Sequence, residues 1–298
     1  SRGHYFEHGG DIDLTGVTSA DDYVARLCDG HVMLDWVPLD MDASLAPRRL
    51  QIAEMATSLA SEKGVSLRHD QRLLDEISGL VEWPNPLYGE IEDRFMGLPD
   101  EVLEASIRTH QKYLTTSDPV TGDLAKGFVV VSNRLADSER DAVILTGNQR
   151  VLCARLADAE FFWDEDRKTP LYEMLPKLAE ITFYEGLGSL HDKAMRMVKL
   201  VAHIAPAIPQ CDADMAAHAA KLAKADLVSG MVGEFPELQG IMGGHYARHH
   251  GAAAEVADAI EQHYRPKGAE DGIPDCAAGL AVSLADKIDS LVGFFGVG

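Results

Sequence analysis

Basic side chains between positions 108 and 168 are interleaved with aromatic ones, a combination that suits contact with nucleic acid. The basic residues are Arg108, His110, Lys112, Arg134, Arg150, Arg155, Arg167 and Lys168, and the aromatic residues beside them are Tyr113, Phe161, Phe162 and Trp163. Cationic groups neutralise phosphates, and aromatic rings stack on exposed bases. Acidic residues interrupt the run between positions 158 and 166. The same pattern therefore also fits a solvated, charged face.

A second group of residues could bind a divalent metal through carboxylates. Metal-dependent phosphohydrolases of the HD type take a His from one helix, a His-Asp dipeptide from the next and an Asp from a late helix, a ligand set that suits transition metals. Asp226 falls on the apolar stripe of one predicted helix, and Asp286 and Asp289 share a face of the last one. A carboxylate in such a position needs a partner.

The metal-binding pattern is incomplete. Ala225 stands where the His of the dipeptide should be, and the literal His191-Asp192 dipeptide lies at the start of an earlier predicted helix. Without imidazoles the site loses its nitrogen ligands. The sequence therefore predicts a degenerate HD-like arrangement, with Asp226 and Asp286 as paired core carboxylates and no metal. An HD-type metal-dependent phosphohydrolase is the alternative.

Three histidines near the end of another predicted helix have partial metal-site spacing. His245 and His249 are four residues apart and His250 follows. This spacing can hold a metal in HExxH helices, but here no Glu stands in the required place and no third ligand is evident. We expect these histidines to face solvent or the last carbonyls of the helix.

Composition and charge restrict the classes of protein. The chain has 298 residues, 46% of them hydrophobic and 25% charged, which is typical of a soluble globular protein large enough for two domains. The formal net charge of −21 opposes binding of a polyanion at long range, so any RNA contact needs a confined basic patch. No apolar run is long enough to span a bilayer.

Other signals of chemistry or compartment are few. The four cysteines, at positions 28, 153, 211 and 276, are far apart and indicate reduced thiols in a cytoplasmic protein. The chain contains no GxxxxGK[ST] loop, GxGxxG motif or GxSxG motif. Nothing resembles a site for ATP. The two ends lead us to expect a piece of a longer protein.

The elements that would position these residues divide the chain into an α+β half and a helical half. The first half has predicted helices at 46–63, 70–81 and from Pro99 towards His110, and predicted strands at 87–91, 113–116 and 127–132. From about Ser138 strand signals disappear. The second half has predicted helices at 169–183, 187–201, 213–228, 236–249, 252–264 and 276–294. We place the domains at 1–165, mixed α/β, and 166–298, all-α and HD-like.

Seven segments resemble, in the same order, the β subunit of bacterial glycyl-tRNA synthetase. The longest is KADLVSGMVGEFPELQGIMGGHYAR at 224–248, and the others lie at 1–4, 80–84, 110–113, 147–162, 187–193 and 285–298. In the segment 147–162 Gln149 stands where the family usually has Glu. The resemblance covers essentially the whole chain.

The resemblance implies a role in glycyl-tRNA formation without the catalytic site. In that family the α subunit carries the class II active site, so ATP and magnesium are expected there and no cofactor is expected here. The β subunit is required for activity and binds the tRNA body and anticodon, in a cytoplasmic heterotetramer of two α and two β subunits. This chain resembles the middle of a β subunit, with the N-terminal portion and the C-terminal anticodon-binding domain missing.

The candidate site residues combine charge with position in the resembling segments. Arg108, Lys112, Arg150 and Arg155 are the candidate tRNA-binding residues. We expect this fragment alone to bind tRNA(Gly) weakly and to charge nothing. A purely structural module that holds the subunits together is a third interpretation.

Overall fold

The protein, as a computed structural model, is described at residues 1–35 and 47–297. It forms two compact units, Ser1–Ala157 and Asp158–Gly298. The helices up to this boundary are α1 (Ala20–Asp29), α2 (Arg48–Glu62), α3 (Gln71–Leu80), α4 (Asp100–Glu104) and α5 (Ser138–Asp166), the last of which contains the boundary. The predicted start of α2 at Ala46 lies outside the described residues.

An antiparallel sheet of four strands forms the centre of the first unit. The strands are β1 (Ser66–Leu67), β2 (Pro84–Glu90), β3 (Leu114–Ser117) and β4 (Leu124–Asn133), in the order β1-β3-β4-β2. Strand β2 begins three residues earlier than predicted and includes both prolines. It lies at the edge of the sheet, where a residue without an N–H costs little.

Apolar side chains from α2, α3 and the sheet make one core cluster of the first unit. The buried members are Ile52, Ala56, Leu73, Ile77, Val81, Leu114 and Val129. Each helix supplies residues three or four positions apart, because this spacing lies on one face of a helix. Helical spacing puts Ile52, Met55, Ala56 and Leu59 on one stripe of α2; Ile52, Ala56 and Leu59 do contribute to the core, whereas Met55 is 38% exposed.

The second unit is helical apart from one short hairpin. Its helices are α6 (Leu171–Met174), α7 (Leu190–Ile204), α8 (Ala213–Leu222), α9 (Gly230–Glu234), α10 (Ile241–His249), α11 (Ala254–Gln262) and α12 (Ala277–Val297). The hairpin consists of β5 (Thr182–Tyr184) and β6 (Gly188–Ser189), paired antiparallel. The prediction that strands end before Ser138 is therefore wrong at this hairpin, whose strands are too short to give a periodic signal.

Three predicted helices of the second unit are shorter than expected. The helix predicted at 169–183 ends at Met174, because Pro176 opens a 3₁₀ segment, Leu175–Glu180. The helix predicted at 213–228 ends at Leu222, so Asp226 lies in a separate 3₁₀ turn, Ala225–Val228. The helix predicted from 236 begins only at Ile241, after Gly240 with a φ of 82°.

Helix α7 has one face that differs from the prediction. Its start is fixed by a capping box between Ser189 and Asp192, which explains the His191-Asp192 dipeptide without a metal. Helical period alone places Lys193 on the polar face together with Arg196, but the structure buries it, with only 3% of the residue exposed. In the described part of the chain, no helix is both long and apolar enough to cross a membrane.

Candidate functional site

Four cationic side chains of the first unit line two adjoining clefts. Arg68, Arg72 and Arg108 contribute to a cleft of about 430 Å³. Arg72 and Arg108 also line a second cleft, of about 530 Å³, together with Lys112. We call these four residues the cationic groove. Asp70, Glu76 and Glu104 line the same two clefts, so the groove gathers four cations and three carboxylates on a strongly acidic chain.

Acidic residues accompany three of the four cations of the groove. Arg68 pairs with Glu104, Arg108 with Asp70, and Lys112 with Glu76 at 3.0 Å. Burial opposes ionisation of Asp70, but the backbone N–H of Leu73 and the Arg108 guanidinium outweigh it, so the pKa of Asp70 lies below its usual value. A phosphate that enters the groove must therefore compete with these carboxylates.

Arg72 differs from the other three cations of the groove. Its side chain is exposed in the first turn of α3. Across residues 1–35 and 47–297, no carboxylate forms a salt bridge with it. Arg72 is therefore the groove cation whose side chain is not engaged in an ion pair within the described residues.

An irregular backbone segment carries the groove residues Arg108 and Lys112. Helix α4 continues as a π-helical turn, Ala105–His110, and Lys112 then has a φ of 59°. A left-handed conformation at a residue with a side chain costs about 1–2 kcal/mol, and π-helical turns occur often at functional sites. Arg108 and Lys112 therefore lie on a strained backbone segment, and such strain is common at functional sites.

The segment also contacts α5, so two of the resembling segments meet in space. An Nη of Arg155 lies 3.0 Å from Nδ1 of His110. The Tyr113 hydroxyl donates to Oδ1 of Asn148 at 2.6 Å. Arg155 is thereby placed beside the π-helical turn that carries Arg108.

The structure does not bring all four candidate tRNA-binding residues together. Arg108 and Lys112 line the groove, and Arg155 contacts the same segment through His110. Arg150 is exposed on α5 and, five residues before Arg155, is turned from it by about 140° around the helix. The sequence analysis missed Arg68 and Arg72, which flank the start of α3 and could have been suspected from the cluster Arg68-His-Asp-Gln-Arg72.

The second unit contains a buried network of ion pairs around Asp286. Lys224 Nζ lies 2.9 Å from Asp286 Oδ2, and Lys193 Nζ lies 2.9 Å from Asp286 Oδ1. Lys193 also contacts Asp289 Oδ2 at 3.2 Å, and Arg196 holds Asp289 through two nitrogens at 2.6 and 3.1 Å. Asp286 and Asp289 do share a face of α12, as predicted, but cations from α7 and from the end of α8 occupy that face.

Lys224 also binds an imidazole, in a direction that fixes the tautomer of His263. Nδ1 of His263 contacts the carbonyl oxygen of Ile260 at 2.6 Å, and Nε2 lies 2.9 Å from Lys224 Nζ. The ammonium can only donate, so Nε2 is the acceptor and Nδ1 carries the proton. Burial and the neighbouring ammonium lower the pKa of His263 to about 3, which keeps the ring neutral.

Charge and burial act against each other within the network. Burial lowers the pKa of Lys224 to about 8, although Asp286 opposes this shift. Burial likewise disfavours the ionised form of Asp286, but Lys224 and Lys193 outweigh it and hold its pKa well below the usual range. Each buried charge faces an opposite one, which offsets part of the free-energy cost of burying it.

Asp226 is buried and is not bound directly to Asp286. Its Oδ2 accepts from the backbone N–H groups of Gly240 at 2.5 Å and Gly243 at 3.0 Å, at the start of α10. Among the described residues, none forms a hydrogen bond with its Oδ1. Burial raises the pKa of Asp226 to about 6, and the two N–H groups oppose this shift. The structure therefore gives each predicted core carboxylate its own partners instead of pairing them.

Carboxylates and imidazoles do not assemble into a metal-binding set. Within residues 1–35 and 47–297, no three His, Cys, Asp or Glu side chains come together as a group that could hold a metal ion. His250 Nδ1 contacts the Tyr246 carbonyl oxygen at 2.9 Å, as expected for a histidine at a helix end. His245 lies edge-on to the Trp163 ring, with ring centroids 6.0 Å apart.

The end of α5 is attached to the segment 224–248 through Asp166. Its carboxylate accepts from the N–H groups of Gly230 at 2.9 Å and Met231 at 2.8 Å, and from the hydroxyl of Tyr246 at 2.9 Å. Burial raises the pKa of Tyr246 above its usual range, so its hydroxyl keeps the proton that it donates. The Gly-rich part of this segment thus serves packing and hydrogen bonding.

Comparisons with known proteins agree along the whole chain. A family model described as glycyl-tRNA synthetase beta subunit matches residues 1–298. The chain is 45% identical over 301 residues to the glycine–tRNA ligase beta subunit of Phenylobacterium zucineum, with 100% of this chain and 43% of the relative covered. It is 44% identical over 300 residues to that of Paracoccus denitrificans, with 100% and 42% covered.

A more distant bacterium gives the same result. The chain is 42% identical over 297 residues to the glycine–tRNA ligase beta subunit of Neisseria meningitidis serogroup C, with 99% of this chain and 41% of the relative covered. The chain thus spans about two-fifths of the length of these relatives. Because the family model matches from the first residue to the last, this chain belongs to the glycyl-tRNA synthetase beta subunit family.

Proposed function

We propose that this chain is a non-catalytic, tRNA-contacting and scaffolding part of a glycine–tRNA ligase β subunit. The observation that carries the proposal is the cationic groove, together with the π-helical turn that positions Arg108 beside Arg155. Guanidinium groups bind phosphate oxygens in pairs and so fix the position of a nucleic-acid backbone. The groove would hold the tRNA backbone and would carry no chemistry.

In the whole enzyme this part would act together with an α subunit. The α subunit would supply the active site, ATP and magnesium, and attach glycine to tRNA(Gly). Two α and two β subunits would form the cytoplasmic enzyme. Membership of the β-subunit family supports these assignments. In this proposal the fragment alone forms no glycyl-tRNA, and glycyl-tRNA formed by the purified fragment without an α subunit would overturn it.

We further propose that the second unit is an HD-like domain in which the ammonium group of Lys224 takes the place of the metal ion. Asp286 and His263, a carboxylate and an imidazole that could ligate a metal, are both bound to Lys224. An ammonium group in that place repels a divalent cation. No contact in the described ranges favours the alternative of a metal-dependent phosphohydrolase. Stoichiometric bound transition metal together with phosphodiesterase or nucleotidase turnover would restore that alternative.

The tRNA proposal is tested by neutral substitutions in the groove. Arg108→Gln and Lys112→Gln remove one charge each, and tRNA(Gly) binding is measured between low and moderate salt. Log affinity falls with log salt, and each lost phosphate contact should make this slope less steep by about one. The matched control is Lys126→Gln, because Lys126 is also an exposed cation of the first unit that pairs with acids.

Two results would count against the groove. One is an equal loss of tRNA affinity in the Lys126→Gln control, which would mean that only the net charge of the chain matters. The other is an unchanged salt slope in both groove variants. In the full β subunit, Arg150→Glu and Arg155→Glu test the assignment on α5, and unchanged aminoacylation and tRNA affinity would remove those two residues from the site.

A further inference from the structure

Two exposed aromatic rings near the start of the chain each carry a guanidinium group. The side chains of Tyr5 and Phe6 are 67% and 60% exposed, and their rings meet edge-on with centroids 4.8 Å apart. The guanidinium of Arg2 lies 5.1 Å from the centroid of Tyr5, and that of Arg134 lies 4.3 Å from the centroid of Phe6. We call these four residues the aromatic platform. What sets these two exposed rings apart is that they contact each other and that each lies against a guanidinium group.

A buried histidine holds the platform in place. His4 is 1% exposed, and its Nδ1 accepts from the backbone N–H groups of Phe6 and Glu7, each at 3.2 Å. Its Nε2 therefore carries the proton and donates to Oδ1 of Asn133 at 2.9 Å, at the end of β4. The two rings project from a backbone that is tied to the sheet. A ligand would lose little free energy in ordering them.

The charges around the platform favour an anion. Arg134 and Arg140 both approach the carboxylate of Glu7, at 3.5 and 3.4 Å. A single carboxylate thus faces two guanidinium groups. Arg2 adds a third cation on the other ring, and Asp11, which pairs with Arg2 through the backbone, adds a second carboxylate, so three guanidinium groups face two carboxylates here. A ligand with a flat apolar part and a negative group would satisfy both the rings and the surplus charge.

The space beside the Tyr5 ring is large enough for such a ligand. A cleft of about 500 Å³ is lined by Arg2, His4, Tyr5 and His8, by Asp11 as its one carboxylate, and by the glycines at 3, 9 and 10. This volume lies in the range of small-molecule sites. A side chain built at Gly9 or Gly10 would meet nothing within 4 Å, so the space above them is open.

We propose that the aromatic platform binds an unpaired nucleotide of an RNA. The base would stack on Tyr5 or Phe6, and Arg134 or Arg2 would neutralise its phosphate. Aromatic rings and arginine also occur together at protein interfaces, so a protein partner is one of the outcomes that the test distinguishes. The proposal rests on the proposed function in taking RNA as the ligand, but it concerns residues outside the cationic groove.

A fluorescent single strand tests the platform directly. The probe is an oligoribonucleotide of about ten uridines with one central 2-aminopurine, since stacking on an aromatic ring quenches this base. We expect the chain to quench the probe. Tyr5→Leu and Phe6→Leu keep an apolar side chain without a ring, and each should weaken binding about tenfold. Tyr172→Leu is the matched control, because Tyr172 is an equally exposed tyrosine at 63%.

The outcomes separate the platform from the groove. Quenching that survives in the double variant Tyr5→Leu/Phe6→Leu overturns the proposal, as does absence of quenching with the wild-type chain. If the double variant keeps the quenching but no longer binds purified glycyl-tRNA synthetase α subunit, the platform is a protein interface. That result also overturns the proposal. Arg108→Gln should retain the quenching. If Arg108→Gln leaves tRNA binding unchanged while the ring variants lose quenching, the groove fails and the platform stands. Thermal unfolding of each variant checks that the fold is retained.

Discussion

Lys224 offers the sharpest test of the buried network in the second unit. The side chain is 3% exposed, and its ammonium contacts Asp286 and His263, each at 2.9 Å, above the ring of Tyr264. Lys224→Met keeps the length and the apolar part of the side chain but removes the charge. Asp286 is then left buried with Lys193 as its remaining ammonium partner.

The expected loss of stability follows from what remains. Removing one partner of a buried ion pair costs about 3–5 kcal/mol, because the other charge stays in a poorly solvating interior. Lys193 still contacts Asp286, so the cost should fall at the lower end, about 3 kcal/mol. Burial already lowers the pKa of Lys224 to about 8, so the ammonium itself is costly to bury, and this offsets part of the loss.

Urea unfolding at pH 7, followed by fluorescence and far-ultraviolet circular dichroism, measures the effect. Lys221→Met is the control, since Lys221 is an exposed lysine of α8 and should change stability by less than about 0.5 kcal/mol. Combining Lys224→Met with Asp286→Asn should cost less than the sum of the two changes, with a coupling above about 1 kcal/mol. A loss below about 1 kcal/mol in Lys224→Met, or additive effects in the double variant, would refute the account of this network.

Three further changes test neighbouring contacts. The pKa of Asp226 is about 6 in the folded state and 3.8 when unperturbed, so between these values the folded state binds more protons than the unfolded state. The free energy of unfolding should therefore fall as pH rises from about 4 to 6. Asp226→Asn should abolish that decrease, which is at most about 3 kcal/mol, in urea midpoints measured across this range. Gly243→Ala should cost about 1–3 kcal/mol in the same assay, because a Cβ there would lie 2.8 Å from Ile260 Cγ2 and 3.2 Å from Asp226. Asp166→Ala should cost about 3 kcal/mol through two lost N–H contacts and an unpaired Tyr246 hydroxyl, whereas the exposed Asp164→Ala should cost much less.

Helices with a clear apolar stripe and a defined end were predictable from the sequence. The predicted limits 70–81 and 276–294 lie close to α3 and α12, because each stripe ends at a residue that interrupts it. The hairpin of β5 and β6 was not predictable, because two and three residues carry no period. The early end of α8 was not predictable either, because Asp226 continues the apolar stripe of the predicted helix. In the structure its carboxylate instead accepts from the N–H groups of Gly240 and Gly243.

Site residues were predictable one by one but not as groups. The prediction that Asp286 and Asp289 share a face holds because both lie on a single helix. The burial of Lys193 could not be seen, because its partners lie about 95 positions later and helical period alone puts a lysine in water. The local cluster of Arg68 and Arg72 was visible in the sequence, but that both line one cleft with Arg108 depends on the packing of the fold. Tertiary structure determines which charges far apart in the sequence pair with each other, and local periodicity cannot predict these pairs.

The proposed binding of phosphate is compatible with the acidic character of the chain because three of the four groove cations already face a carboxylate. A phosphate would gain only the difference between its own contact and the ion pair that it replaces, so one phosphate alone would gain little. Several phosphates that enter together with the right spacing would gain more. If the groove binds tRNA as proposed, it should therefore favour a backbone of fixed shape, as in a folded RNA, over an arbitrary polyanion of equal charge.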